Sequence, residues 1–402
     1  MTEFVPLRDI ADFISTGKTP PTKETKYFGG DVYWYTPGDL DREKHLQASV
    51  RSLTELAFTD KKAAVFPADT LLISCIGDIG KLGITSNKSS SNQQITGIKP
   101  NERADVSYLY YWFRFSKYYL EQSANNAVVP ILNNRALEKI KIPLPPLAEQ
   151  KKIAAILDAA DQLRQKDQQL IDHYTSLSQS LFLEMFGDPV SNPMGWQKMS
   201  IGAALEEGFI SDLQDGNHGE KHPKVSDFCD KGLPFVMANC MGDGELNLSK
   251  AYKLSECWKS KLRIGFARPD DVLLSHKGTV GEVAIVSCES EIVILSPQVT
   301  YYRTTKLLDS QFLAGQFSSV NFQQLLHKEA KQSTRAYIGI TRQKKLPLII
   351  PRLELQEKYT SRFRQIELQK RQTKKNLENS EALFNSLLQR AFKGELTSSK
   401  AA

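Results

Sequence analysis

The sequence predicts an α+β protein of two globular domains separated by two long helices that pair antiparallel as a coiled coil, the whole an internal pseudo-two-fold repeat. Three observations carry this. First, residues 147–186 contain no glycine or proline. There Ile153, Ile156, Ala160, Leu163, Leu170, Tyr174, Leu177 and Leu181 recur in steps of three and four, with Asp167 as the charged interruption. Second, the stretch returns at a shift of 206, the difference between Gln356 and Gln150. Pro145, Leu147, Gln150, Leu177, Leu181 and Phe186 fall on Pro351, Leu353, Gln356, Leu383, Leu387 and Phe392 without a gap. Third, the segments ahead of the two stretches match more weakly. Phe66-Pro67-Ala68-Asp69 and Leu71-Leu72 resemble Arg268-Pro269-Asp270-Asp271 and Leu273-Leu274, Gly77 and Gly80 meet Gly278 and Gly281, and Gln94 meets Gln298. Repeats this long fix architecture before any single element does.

Each long helix is bounded by local chemistry. Pro143, Pro145 and Pro146 lack amide hydrogens and fix φ, so an extended segment stops there and a helix begins at Leu147. Gly187-Asp188-Pro189 ends it. Forty residues at 1.5 Å each run about 60 Å, far beyond the ~11–12 residues of an ordinary globular helix. The second copy carries Phe363, Ile366, Leu377, Leu383 and Leu387 as its apolar positions. From 143 to 186 there are four cations and six anions, and from 351 to 396 ten cations and six anions. The opposite net charges favour pairing of the two helices with each other. The expected domains are residues 1–142, 143–187, 188–350 and 351–402.

Within the first globular part, residues 5–14 read as a short strand and a turn of helix. Residues 15–23 form a proline-broken basic loop. Val32-Tyr33-Trp34-Tyr35 is an aromatic strand, and residues 70–76 form a buried strand that turns through Gly77-Asp78-Ile79-Gly80-Lys81 into another. Residues 88–94 read as a polar loop, and 107–121 as one amphipathic helix with aromatics at helical spacing. The second part repeats this order with its own loops at 211–223 and 333–339. Trp34, Tyr111, Trp112 and Trp258 are expected in cores.

Composition narrows the class. The chain has 402 residues, 41% hydrophobic and 24% charged, with a net charge of +6. That is enough for two or three packed domains, and the mild positive charge agrees with a polyanionic partner. No apolar run approaches the ~18 residues of a membrane span, and the first residues lack a signal pattern. Five scattered cysteines without a Cys-x-x-Cys read as thiols of a reducing cytoplasm.

Catalytic signatures are missing. There is no Asn/Asp-Pro-Pro-aromatic tetrapeptide and no Gly-x-Gly-x-x-Gly; the 77–81 turn lacks the span and hydroxyl of a phosphate-binding loop. His218, His222 and Cys229 have no second ligand pair, and Gly216 and Gly219 disfavour the helix that His-x-x-x-His needs. No Ser–His–Asp arrangement stands out.

The motif Pro-Leu-Pro-Pro-Leu-Ala-Glu-Gln-Lys-Lys-Ile at 143–153, with Glu-Met-Phe-Gly-Asp-Pro at 184–189, resembles the helix entry and exit of type I restriction–modification specificity subunits. The second copy departs from it, keeping one proline of the pair in Pro351-Arg352-Leu353. The resemblance implies that the globular parts are target recognition domains, each reading one half of a bipartite DNA target, and that the chain is non-catalytic. It further implies helices that dock two modification subunits and fix the gap, with two restriction subunits beyond them. It implies no cofactor in this chain, with S-adenosylmethionine, ATP and Mg on those partners. A system that fuses or omits the motor stays open, as does a scaffold whose two modules bind protein or RNA.

Groove reading needs Arg or Lys for guanine and Asn or Gln for adenine, with further lysines on phosphates. The DNA-binding candidates in the first domain are Lys18, Thr19, Lys23, Lys81, Lys88, Gln93, Gln94 and Arg135. In the second they are Asn217, His218, Lys221, His222, His276, Lys277, Gln298, Arg335 and Tyr337. The plainer reading of each is a solvated loop residue.

Overall fold

The computed structural model of the chain describes residues 3–122, 130–217, 222–242, 244–286, 291–331 and 336–396. Two compact units result: residues 1–168 with 375–402, and residues 169–374. Among the described residues, no helix is long and apolar enough to cross a membrane.

In the first unit a five-stranded sheet has the spatial order Ala11–Thr16, Ile95–Pro100, Leu71–Ser74, Leu82–Thr85, His45–Leu46. The first four are antiparallel neighbours and the last joins parallel. A smaller sheet places the aromatic strand Phe28–Tyr35 between Arg51–Leu53 and Ser89–Ser91. Glu3–Pro6 pairs with Lys141–Leu144, which ties the start of the chain to the helix entry.

The second unit repeats this plan. Ile210–Asp215, Val299–Thr304, Val272–Lys277 and Thr279–Ile285 lie in the same order as the first four strands above, all antiparallel. The opening strand of each sheet carries its register shift at the same place, between Ala11 and Phe13 and between Ile210 and Asp212. The companion sheet again has a parallel pair, Leu233–Val236 with Val293–Leu295. Gln197–Ser200 pairs with Pro347–Ile350 as Glu3–Pro6 does with Lys141–Leu144.

The long helices span Leu147–Phe186 and Leu353–Phe392, as the proline and glycine boundaries require. In the first unit Ile153, Leu157 and Ala160 share a core with Phe384, Leu388 and Ala391. In the second, Leu181, Phe182 and Phe186 pack with Leu355, Tyr359 and Phe363. The start of each helix meets the end of the other, so they run antiparallel.

The middle of the pairing departs from the expected apolar seam. Leu163, Leu170 and Leu177 are 46%, 44% and 38% exposed, whereas the interrupting Asp167 is buried. Ser380 Oγ donates to Asp167 at 2.8 Å, and Ser178 Oγ donates to Glu367 at 3.0 Å. The chain therefore buries satisfied polar groups between the helices and leaves its leucine stripe outside.

Three smaller expectations also change. Residues 107–121 form two helices, Val106–Phe115 and Lys117–Gln122, because Ser116 leaves helical geometry at φ −90° and ψ 9°. Within 88–94, Ser89–Ser91 is a buried strand parallel to Tyr33–Tyr35; hydroxymethyl side chains are small enough for that space. The loop expected at 211–223 begins only after the strand Ile210–Asp215. Trp34, Tyr111, Trp112 and Trp258 are buried, as expected of core residues.

The repeat reaches single hydrogen bonds. Gln150 is fully buried, and its Nε2 donates to the Pro145 and Arg103 carbonyls at 2.8 and 2.9 Å. Its Oε1 accepts from the Asp105 amide at 2.9 Å, and Asp105 caps the helix Val106–Phe115. Gln356 does the same for Pro351 and Asp309 at 2.7 and 2.8 Å, and Asp309 caps Ser310–Ser318. One side chain thus locks the long helix to the first turn of a domain helix, twice.

Candidate nucleic-acid interface

In the first unit Ala11–Thr16 and Leu71–Ser74 end, and Ile95–Pro100 and Leu82–Thr85 begin, at one end of the five-stranded sheet. The connecting loops meet there. Gly17 and Lys18 donate their amides to Ile95 and Ser91 at 2.8 and 2.9 Å. Cys75 donates to Gln94 at 2.7 Å, and Gly77 to Pro130 at 3.1 Å. Asn134 Oδ1 accepts from Thr16 and Thr96 Oγ1 at 3.0 and 3.1 Å, pinning the short helix Asn134–Glu138 to the same end.

Lys18, Thr19, Lys81, Gln93, Gln94 and Arg135 are brought together by this arrangement. Thr19 Oγ1 donates to Gln93, and Asn92 Nδ2 donates to Gln94 Oε1 at 2.9 Å, so both glutamines are oriented. Lys18 Nζ donates to the Lys61 carbonyl at 2.6 Å, a polar neighbour the sequence did not suggest. Lys81 pairs with Asp78 at 2.9 Å, and that hydrogen bond holds the Asp78 carboxyl below its usual range. Lys23 is exposed further along the same loop. Lys88 lies elsewhere: it follows the far end of Leu82–Thr85, pairs with Glu55 at 2.6 Å and sits over the Phe58 ring.

The second unit builds the same end. Gly216 donates to Val299 at 3.1 Å, His276 to Gln298 at 2.8 Å, Gly278 to Ala336 at 3.1 Å and Ile338 to His276 at 2.9 Å. Asn217, Lys277, Gln298 and Tyr337 gather there; Lys277 and Tyr337 are bridged directly. His276 is the exception, because its side chain is fully buried beside the Tyr337 ring and shows no surface to a groove. Its counterpart by position is Cys75, also buried, whose thiol burial pushes up to about 11. His222 stands apart, exposed, its ring 5.9 Å from that of Phe235. His218, Lys221 and Arg335 lie outside the described residues.

Asn134 was absent from the sequence-based candidates. Its signal was readable: Asn133-Asn134-Arg135 opens a helix, with Asn133 capping Ala136 at 3.0 Å. Among the described residues, no group of three or more His, Cys, Asp or Glu could hold a metal ion. Among the described residues, the surface can donate and accept hydrogen bonds.

Residues 2–172 match the family model of the type I restriction modification DNA specificity domain. Nearly the whole chain is, besides, similar to type I restriction–modification specificity subunits. It is 26% identical over 400 residues, 94% of this chain and 90% of the relative, to the type I restriction enzyme MjaVIII specificity subunit of Methanocaldococcus jannaschii. To the MjaIX specificity subunit of the same organism it is 30% identical over 219 residues, half of each chain. To the EcoBI specificity subunit of Escherichia coli it is 23% identical over 362 residues, 83% of this chain and 74% of the relative. In fold it is similar to the type I restriction–modification S subunit from M. genitalium, with a TM-score of 0.60 at 12% identity. That match covers 97% of this chain and 96% of the other.

Proposed function

We propose that this chain is the sequence-specific DNA-recognition subunit of a type I restriction–modification complex. Each unit reads one half of a bipartite, asymmetric target, and the long helices dock modification subunits and fix the gap. The observation that carries the reading is the pair of matching sheet ends. One frame presents Lys18, Thr19, Gln93, Gln94 and Arg135, and its repeat presents Asn217, Lys277, Gln298 and Tyr337. Equal frames with unequal side chains suit two different half-sites, since phosphate contacts position a protein and base contacts specify the sequence. Catalysis belongs to partners: two modification subunits with S-adenosylmethionine, and two restriction subunits with ATP and Mg. The working compartment is the cytoplasm, where the host DNA lies.

The test is single-molecule methylome sequencing of host cells with and without the gene, then with residues 17–24 exchanged for an unrelated loop. Loss of one methylated bipartite motif without the gene is expected. The exchange should alter one half of that motif and leave the other intact. Change in both halves, or in neither, would refute independent reading; an unchanged methylome without the gene would favour a scaffold that binds protein or RNA.

A further inference from the structure

A cleft of about 350 Å³ opens in the first unit between the domain helix Val106–Phe115, the turn at Gly80 and the long helix. Five cations line it: Arg42, Lys44, Arg114, Lys117 and Arg164. Two are committed to carboxylates, Lys44 to the half-buried Asp158 and Arg164 to the buried Asp161 at 2.8 Å. Arg114 stands 4.0 Å from Asp161 and lies against the Phe384 ring. Among the described residues, neither Arg42 nor Lys117 has a carboxylate at ion-pairing distance. Three carboxylates, Asp41, Glu43 and Asp161, line the cleft as well, so five cations face three anions and the balance is positive.

The repeat supplies an internal control. At the shifts that superpose the two halves, Arg114 and Lys117 correspond to Ser318 and Asn321, while Asp161 and Arg164 correspond to Glu367 and Lys370. The second unit keeps the acid–base pair, with Lys370 and Glu367 3.8 Å apart, but has no cation at the other two positions. The fold is complete there without them. Their charge is therefore not a common requirement of the repeated fold.

Place suggests a use. Asp41 and Leu82 exchange hydrogen bonds, amide to carbonyl at 2.9 Å and amide to Oδ1 at 2.8 Å, where His45–Leu46 and Leu82–Thr85 begin. That is the same end of the sheet that carries Lys18, Gln93 and Gln94, at the opposite edge. Three inter-strand steps of ~4.8 Å separate the strand after Gln94 from His45–Leu46, about 14 Å. A major groove is about 12 Å wide between its backbones.

We infer that this cleft receives a backbone phosphate of the DNA duplex whose groove the neighbouring loops read, with Arg42, Arg114 and Lys117 as the phosphate-binding groups. The inference rests on the DNA-recognition reading above. It adds a contact that positions DNA in one half of the protein, and two of its three cations, Arg114 and Lys117, have no charged counterpart in the other.

The experiment uses the full chain and a mixed-sequence duplex, with affinity followed by fluorescence anisotropy from 50 to 200 mM salt. Each lost phosphate contact should reduce the steepness of log K against log salt by about 0.9, or about 3.5-fold less loss of affinity over that range. Arg42→Gln and Lys117→Gln should each do this, the double variant should do it twice, and Lys117→Arg should restore it. The methylated motif in cells should stay the same. A wild-type slope in the double variant, with duplex binding intact, would overturn the inference and leave DNA reading standing, as would a changed motif. Absence of duplex binding by the wild-type chain, alone and with its modification subunits, would overturn both. Thermal melting of each variant guards against misfolding, and the Lys117→Arg rescue separates charge from packing.

Discussion

Gln150 has no exposed surface, yet it connects three backbone groups from two parts of the first unit. Truncating it strands those groups in a site closed to water, which makes the loss larger than that of one exchanged hydrogen bond. Gln150→Ala should lower the stability of the first unit by roughly 2–4 kcal/mol, read as an earlier first transition in urea. Gln150→Glu should also be harmful, because a carboxylate cannot donate to Pro145 and Arg103. A variant as stable as wild type would show that the long helix is held by its apolar face alone. The repeat also trades residues between its parts. Tyr111 on the first domain helix corresponds to Gly315 on the second, and Ile153 on the first long helix to Tyr359 on the second. A Cβ on Gly315 would stand 2.3 Å from Tyr359 Oη, so the tyrosine lost from one helix is supplied by the other.

At the scale of elements, the long helices show which side of an amphipathic pattern a sequence identifies. The bounds at Leu147 and Phe186 were legible because proline and glycine act locally, whatever the helix packs against. The face was less so. Leu163, Leu170 and Leu177 fit a heptad, but the seam belongs to Asp167, Ser178, Glu367 and Ser380, and no spacing rule foresees a polar seam whose groups satisfy one another. The candidate site divides the same way. Loops that follow strand ends were found from their polarity, and those at 17–19 and 93–94 do converge. Lys88 and His276 looked alike in sequence, yet one lies beyond the far strand end and the other inside the sheet. The exposed leucine stripe leads to a prediction. Leucines at seven-residue intervals on a free helix face suit a partner helix. Leu170→Glu with Leu177→Glu should leave melting nearly unchanged, since both side chains are already 44% and 38% exposed, but should abolish co-purification with the modification subunits. Normal assembly of the double variant would place that docking surface elsewhere.

For the whole molecule, the two units use different stretches of the same unbroken helices. The first holds residues 147–168 and 375–392, and the second holds 169–186 and 353–374. Length can therefore be added between the two anchorages without entering either core. Gln165 would be a poor point of insertion, because its Nε2 donates to Asp161 at 2.8 Å within the first unit. Insertion after Gln168, matched by insertion after Lys374, respects both units and keeps the antiparallel partners in step. Four residues in each helix add about 6 Å and nearly one full turn, so the buried face continues with little rotation. DNA rises about 3.4 Å per base pair. If the helices set the spacing between half-sites, the unread gap in the methylated motif should grow by about one or two base pairs, with both half-site sequences unchanged. Methylome sequencing of cells carrying the lengthened chain reads gap and half-sites together. Two inserted residues provide the contrast: they turn the second stretch by about 200°, carry its polar seam away from its partner, and should abolish methylation. An unchanged gap in the four-residue variant, with methylation intact, would mean that the modification subunits or the DNA set the spacing.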